Sequence, residues 1–256
     1  MNSARNDKAK SCLRQYECQD AEAPILVCFP HAGGAASAFY PFVDELTERW
    51  QLMIVQYPGR ECRYSTQLSS SLLQTADEIA ESLKVYQHRD MVFFGHSMGA
   101  KVAFEVAALL SDKPTMLIAS CSPAPDIFPK RGPLTDYSDA ALEEYLHSLG
   151  GTVTDLLHNK ELMELVLPII RADFKSLDDY TRAVDKRSLD MPILAMVADK
   201  DDAVDETLAK PWGHWTNSEF TTLAVQGDHF YFQKQGIGLA AYIDQAQSLI
   251  SSSRYT

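Results

Sequence analysis

Strand-length apolar runs alternate with longer stretches of helical period over most of this chain. Pro24 to Phe29 reads as a buried strand, and Leu52 to Tyr57 as a second. Between them, Phe39, Phe42, Val43 and Leu46 recur at helical spacing within Ala38–Trp50. A helix is predicted over Ser71–Tyr86, with Leu72, Leu73, Ala76, Ile79, Ala80 and Leu83 on one face. Met91 to Phe94 is a third strand running straight into Gly95-His96-Ser97-Met98-Gly99. An apolar helix follows to about Leu110, and Thr115 to Ser120 is a fourth strand.

The alternation then stops. From Pro123 to Asp190 the patterns are helical without strands, punctuated by Pro129, Pro133, Gly150-Gly151 and Pro168. Strands resume at Pro192–Val197 and Phe220–Val225, and a helix over Gly238–Ile250 follows. The order predicts an α/β fold: a mostly parallel central sheet with helices on both faces. The helical block is expected to lie over the carboxyl ends of the strands, where open α/β sheets carry their active sites, as a lid. The expected divisions are a partly disordered extension (1–20), the first part of the core (21–122), the lid insertion (123–190) and the second part of the core (191–256).

Composition narrows the function classes. The chain has 256 residues, 46% of them hydrophobic and 23% charged, enough to bury a sizeable core. Its formal net charge of −12 argues against a nucleic-acid binder, which needs a basic face. No apolar run is long enough to span a membrane, and the polar stretch MNSARNDKAK has no apolar h-region behind it, so secretion is not expected. The five cysteines are scattered, without C-x-x-C pairs or zinc-like His/Cys spacing. A cytoplasmic protein with reduced thiols is expected.

The chemistry centres on Gly95-x-Ser97-x-Gly99. Between a strand and a helix, this pattern is a nucleophile elbow: the turn excludes side chains at the flanking positions and lifts the serine hydroxyl above the sheet. A serine hydroxyl needs a base, and the base an orienting acid. His229, in Gly227-Asp228-His229-Phe230 directly after the last strand, has the right position and order. His31, His88, His96, His147, His158 and His214 do not. Asp199, Asp201, Asp202 and Asp205 crowd the loop after the preceding strand, and Asp126 is a rival position. The developing oxyanion requires donors. The Met98 N–H, next after the nucleophile, is one. His31-Ala32-Gly33-Gly34 is similar to the Gly-rich oxyanion loops of lipases and esterases, which points to the Ala32 N–H as the second.

Taken together, these segments resemble the type II thioesterases, the discrete editing hydrolases of nonribosomal peptide and polyketide synthesis, which have the α/β-hydrolase fold. The resemblance spans about Ile25 to Ile250. It is carried by Phe29-Pro30-His31-Ala32-Gly33-Gly34, Tyr57-Pro58-Gly59-Arg60-Glu61-Cys62-Arg63, the elbow through Ala100, Arg171-Ala172-Asp173-Phe174 and the terminal G-x-H-F. The family's D-x-D-type loop maps onto Asp199-Lys200-Asp201 and points to Asp201 as the acid. Departures fall at Asp202, Asp228 and Cys121-Ser122.

The resemblance implies hydrolysis of stalled acyl groups from the phosphopantetheine arm of carrier domains, through an acyl-enzyme on Ser97. It implies no metal and no cofactor of the chain's own, and a monomer is expected. A medium-chain fatty-acyl thioesterase, a generic esterase and a non-catalytic carrier-binding module are the competing readings. The apolar lid positions Leu156, Leu157, Leu162, Met163, Leu165, Val166, Leu167, Ile169 and Ile170 are expected to form the lid's core and to wall an acyl chamber. Arg60, Arg63, Lys130 and Arg131 could meet an acidic carrier.

Overall fold

The computed structural model describes residues 11–150, 160–233 and 238–253. In chain order the elements are β1 (Leu13–Tyr16), β2 (Ile25–Phe29), α1 (Val43–Thr47), β3 (Gln51–Val55), α2 (Leu72–Leu83), β4 (Met91–His96) and α3 (Met98–Leu109). They continue with β5 (Met116–Ser120), α4 (Asp139–Leu149), α5 (Lys160–Ala183), β6 (Ile193–Ala198), α6 (Glu206–Ala209), β7 (Phe220–Val225) and α7 (Leu239–Ser253).

The strands form one seven-stranded sheet in the order β1-β3-β2-β4-β5-β6-β7. Every neighbouring pair is parallel except β1 with β3. The inner parallel strands, β2 to β6, are buried on both faces, which is why they read as largely apolar runs rather than as alternations. In β2, Ile25, Val27 and Phe29 join the core on one face, and Leu26 and Cys28 join the core on the other. The first core is closed by α2 and α3; Leu72, Ala76, Ile79, Ala80 and Leu83 enter it at helical spacing. The second is closed by α7 through Leu239, Ile243, Ala246 and Ile250.

Three sequence expectations change. Residues 1–20 read as an extension outside the core, yet Leu13–Tyr16 forms an edge strand, pairing Leu13 with Val55 and Tyr16 with Leu52. The predicted helix over Ala38–Trp50 divides into a 3₁₀ segment, Ala36–Phe42, and the short α1. Pro41 lies in the 3₁₀ segment and has no N–H to continue an α-helical ladder. Pro168 does not punctuate the lid: α5 runs through it for 24 residues. Of the apolar lid positions, Met163 and Ile170 are buried, whereas Leu162 and Leu165 are exposed. Leu156, Leu157, Gly151 and His158 lie outside the described residues.

The sheet order reverses at β2, whose neighbours are β3 on one side and β4 on the other. The loops after β2, β4, β6 and β7 therefore gather at the same end of the sheet. Those loops carry His31–Gly34, Ser97, Asp201 and His229. The close approach of α3 to β2 makes this end possible. A Cβ on Gly99 would lie 2.1 Å from the Phe29 carbonyl oxygen and 2.6 Å from that of Pro30. Both obstacles are backbone and cannot rotate away. Gly99→Ala is expected to lower the unfolding free energy by about 2–3 kcal/mol, as read by urea denaturation.

Candidate active site

Ser97 sits between β4 and α3 with φ 56° and ψ −120°, a backbone conformation L-residues rarely hold. Its N–H donates to the Ser120 carbonyl at 2.8 Å, and its carbonyl accepts from the Ala100 N–H at 3.1 Å. Gly95 completes the turn, because a Cβ there would lie 2.4 Å from the Ala100 Cα. Met98 is the first residue of α3, so its N–H has no carbonyl one turn back and points from the positive end of the helix dipole.

His229 and Asp201 meet although 28 residues separate them. The His229 imidazole is 2.8 Å, Nδ1 to Oδ2, from the Asp201 carboxylate, and the two side chains are 3% and 0% exposed. The other oxygen, Oδ1, accepts the N–H groups of Ala203 at 2.8 Å and Val204 at 3.2 Å. Burial pushes the Asp201 carboxyl up. The opposing charge and hydrogen bond of His229, with the two amides, hold it net below its ordinary value.

The neighbouring acids have other work. Asp199 accepts the Gly227 N–H at 2.8 Å, while the Lys200 N–H donates to the Gly227 carbonyl at 2.9 Å; together they fasten the loop that carries His229. Asp205 caps α6 through the N–H groups of Thr207 and Leu208. Asp202 is exposed. Asp126, the rival acid, pairs with Lys186 at 3.2 Å.

The His229 ring lies against the His96 imidazole, which in turn meets that of His31. His96 packs tilted against His229 at 5.0 Å between centroids and is itself 5.9 Å from His31. Burial, then the charges of His229 and His31, pulls His96 well below its ordinary pKa. Burial, then the charges of His229 and Arg60, pulls His31 down to about 3. Both rings are neutral near pH 7, and His96 is fixed by Ser120 Oγ at 3.1 Å.

Two small cavities meet at this point. One, of about 30 Å³, is lined by Ser97, His229, Lys101, Tyr145, Phe174 and Thr181 among others. The second, of about 50 Å³, is lined by Ser97, His229, Ala32, Gly33, Leu149 and Ile170 among others. Ser97, His229, Tyr145 and Phe174 line both, and Ala32 faces the second.

Helix α5 is tied down by polar contacts that the sequence patterns did not reveal. Lys101, buried in α3, donates to Thr181 Oγ1 at 2.8 Å and to the carbonyls of Pro125 and Ile127. Burial brings its pKa down to about 7, against the pull of Asp126 and Asp178. Tyr180 donates to Glu105 at 2.6 Å. Arg60 and Arg63, expected as surface cations, are instead buried: Arg60 pairs with Asp173 and Arg63 with Glu78. Among the described residues, Cys121, Asp201 and His229 bring ligand atoms within 4.8 Å of one another. This set does not suit a metal ion, since Asp201 already occupies His229 Nδ1 and burial pushes the Cys121 thiol well above its ordinary value.

Comparison with known proteins places the fold in a family. Thioesterase PikA5 of Streptomyces venezuelae is 33% identical over 228 residues, covering 87% of this chain and 80% of that protein. The solved structure of YbtT, the type II thioesterase of the yersiniabactin NRPS/PKS biosynthetic pathway, gives a TM-score of 0.82 at 29% identity, with 94% and 99% of the two chains covered. BorB, the type II thioesterase from the borrelidin biosynthetic cluster, gives 0.79 at 33% identity, with 91% and 96% covered. Residues 24–245 match the family model described as a thioesterase domain, and the chain belongs to that family.

Proposed function

We propose that this enzyme is an editing thioesterase that hydrolyses stalled or aberrant acyl groups from the phosphopantetheine arm of carrier domains in nonribosomal peptide or polyketide synthesis. The observation that carries the reading is the buried His229–Asp201 pair beside Ser97, at the junction of the two cavities. The likeness to type II thioesterases supports the substrate class. The protein acts as a cytoplasmic monomer, and residues 123–190 serve as its lid.

Ser97 Oγ attacks the thioester carbonyl carbon while His229 takes its proton through Nε2. Asp201 holds the ring in the tautomer with Nδ1 protonated and stabilises the imidazolium. The N–H groups of Ala32 and Met98 receive the oxyanion. Collapse breaks the C–S bond, and His229 returns the proton to the departing thiolate. Water, deprotonated by His229, then attacks the acyl-serine ester and releases the acid and the free hydroxyl. The chain needs no metal or cofactor for these steps, since the phosphopantetheine arrives on the partner.

Steady-state hydrolysis of acyl-loaded holo carrier protein, compared with simple thioesters, tests the assignment. Carrier-bound short acyl groups are expected to turn over fastest, and Ser97→Ala to lose at least about 10³-fold in kcat. A preference for long chains or free esters would indicate a chain-releasing thioesterase or esterase. Equal inertness of wild type and variant, with both binding the carrier, would indicate a binding module.

Asp201→Asn is expected to lower kcat by about 10³–10⁴-fold through the wrong His229 tautomer. It also has a signature in stability. A carboxyl depressed on folding binds fewer protons in the native than in the unfolded state. Its contribution is therefore complete above its unfolded pKa of about 3.9 and is lost as pH falls through that value toward the folded one. The urea midpoint of wild type should exceed that of Asp201→Asn at pH 7, and the gap should narrow between about pH 5 and 3.

A further inference from the structure

The loop that carries Ala32 is held by a buried ion pair joining two distant segments. Asp173, on the inner side of α5, accepts the Gly33 N–H through Oδ2 at 2.7 Å. The same oxygen accepts Arg60 Nη1 at 2.7 Å, and Oδ1 accepts Arg60 Nη2 at 2.9 Å. Arg60 Nη1 also donates to the Gly34 carbonyl at 2.9 Å. Adjacent loop residues are thus gripped at an N–H by Asp173 and at a carbonyl by Arg60. The side chains are 5% exposed for Arg60 and 12% for Asp173.

This grip reaches the oxyanion donor through covalent geometry. The Ala32 N–H shares its rigid peptide plane with the His31 carbonyl and points opposite to it. That carbonyl accepts the Gly34 N–H at 3.0 Å. Fixing Gly33 and Gly34 therefore fixes the plane, and with it the direction of the Ala32 N–H. The flanks are braced as well: Tyr57 Oη donates to the Pro30 carbonyl at 3.0 Å, and buried Gln56 links the Ala36 N–H to the Arg60 carbonyl. Gly33 has φ +76°, and a Cβ there would lie 2.5 Å from Ile170 Cγ1, so α5 rests directly on the loop.

A buried ion pair is a poor stabiliser against an apolar replacement of the same shape, because both charges lose their hydration. It does impose direction, since a bidentate guanidinium–carboxylate pair fixes both planes. We propose that Arg60 and Asp173 are positioning residues for the oxyanion donor Ala32, and that the loop is competent only while α5 is seated on it. The proposal rests on the acyl-transfer reading of Ser97.

The test compares wild type with Asp173→Asn and Arg60→Lys. The latter keeps the charge and loses only the fork, so it remains informative should the first variant fold poorly. Three quantities are measured: kcat and KM on an acyl-pantetheine thioester; the affinity of a phenylboronic acid, which forms a tetrahedral anion on the nucleophilic serine; and amide exchange along the chain. kcat should fall about 10- to 100-fold, within the range for a weakened oxyanion donor, with KM changed less than about threefold. Boronate affinity should fall by the same factor as kcat. Exchange should quicken at Gly33 and Gly34 but not in β2 or β4. The proposal is overturned if kcat and boronate affinity stay within about twofold of wild type, if the loss lies in KM alone, or if Gly33 exchange is unchanged. A wild type inert towards thioesters would sink the functional reading, and Gly33 exchange would then decide the clamp by itself.

Discussion

The backbone at Ser97 is the constraint around which this molecule is arranged. A non-glycine residue at φ 56° and ψ −120° lies about 1–3 kcal/mol above a relaxed one. It persists because its surroundings leave it no alternative. The Ser97 N–H is drawn to the carbonyl of Ser120 at the end of β5, and the helix after it must begin against the backbone of β2. The nucleophile's position is thus dictated by three strands at once. The sheet and both cores supply the stability that keeps the turn strained, and the strain is what holds the hydroxyl clear of the sheet.

Much of this was legible in the amino-acid pattern, for identifiable reasons. The inner parallel strands β2 to β6 announce themselves because burial on both faces leaves them largely apolar, whereas β7, at the edge, is only partly buried. Gly95, Ser97 and Gly99 are legible because a tight turn imposes local composition. β1 is not: it is four residues long, lies at the edge, and buries only Leu13. The acid is a subtler case. Four aspartates follow β6 with equal claims by residue type, and only the family resemblance singled out Asp201. Their different roles depend on which backbone amides and which imidazole the fold brings to each. The pairing of Arg60 with Asp173 spans 113 residues and leaves no periodic trace. Both residues stand inside the motifs that carried the resemblance, so their importance was visible while their contact was not.

Charge is distributed differently from what the composition suggests. Arg60, Arg63 and Lys101 are turned inward and engaged there, Arg63 through its two terminal nitrogens, which leaves the surface of an already acidic protein with fewer cations. Of the four basic residues considered for carrier recognition, Lys130 and Arg131 remain near the surface. Lys130 is engaged with Asp205 at 3.5 Å, and the Arg131 guanidinium lies over the Tyr145 ring. Both of these cations are thus already in company.

One helix concentrates these obligations. Along α5, Arg171 holds the Tyr137 carbonyl, Asp173 the Gly33 amide, Asp178 the amides of Leu134 and Thr135, Tyr180 the Glu105 carboxylate, and Thr181 the Lys101 ammonium. An altered side chain on that face disturbs a distant loop as well as the chamber it borders. Another wall of that cavity, with Phe128, Leu134 and Val204, carries no side-chain hydrogen bonds among the described residues, although the Arg182 guanidinium lies over the Phe128 ring. Divergence toward new acyl groups, whether by descent or by an engineer's library, has its freedom on that wall, while α5 is the part that must be inherited intact.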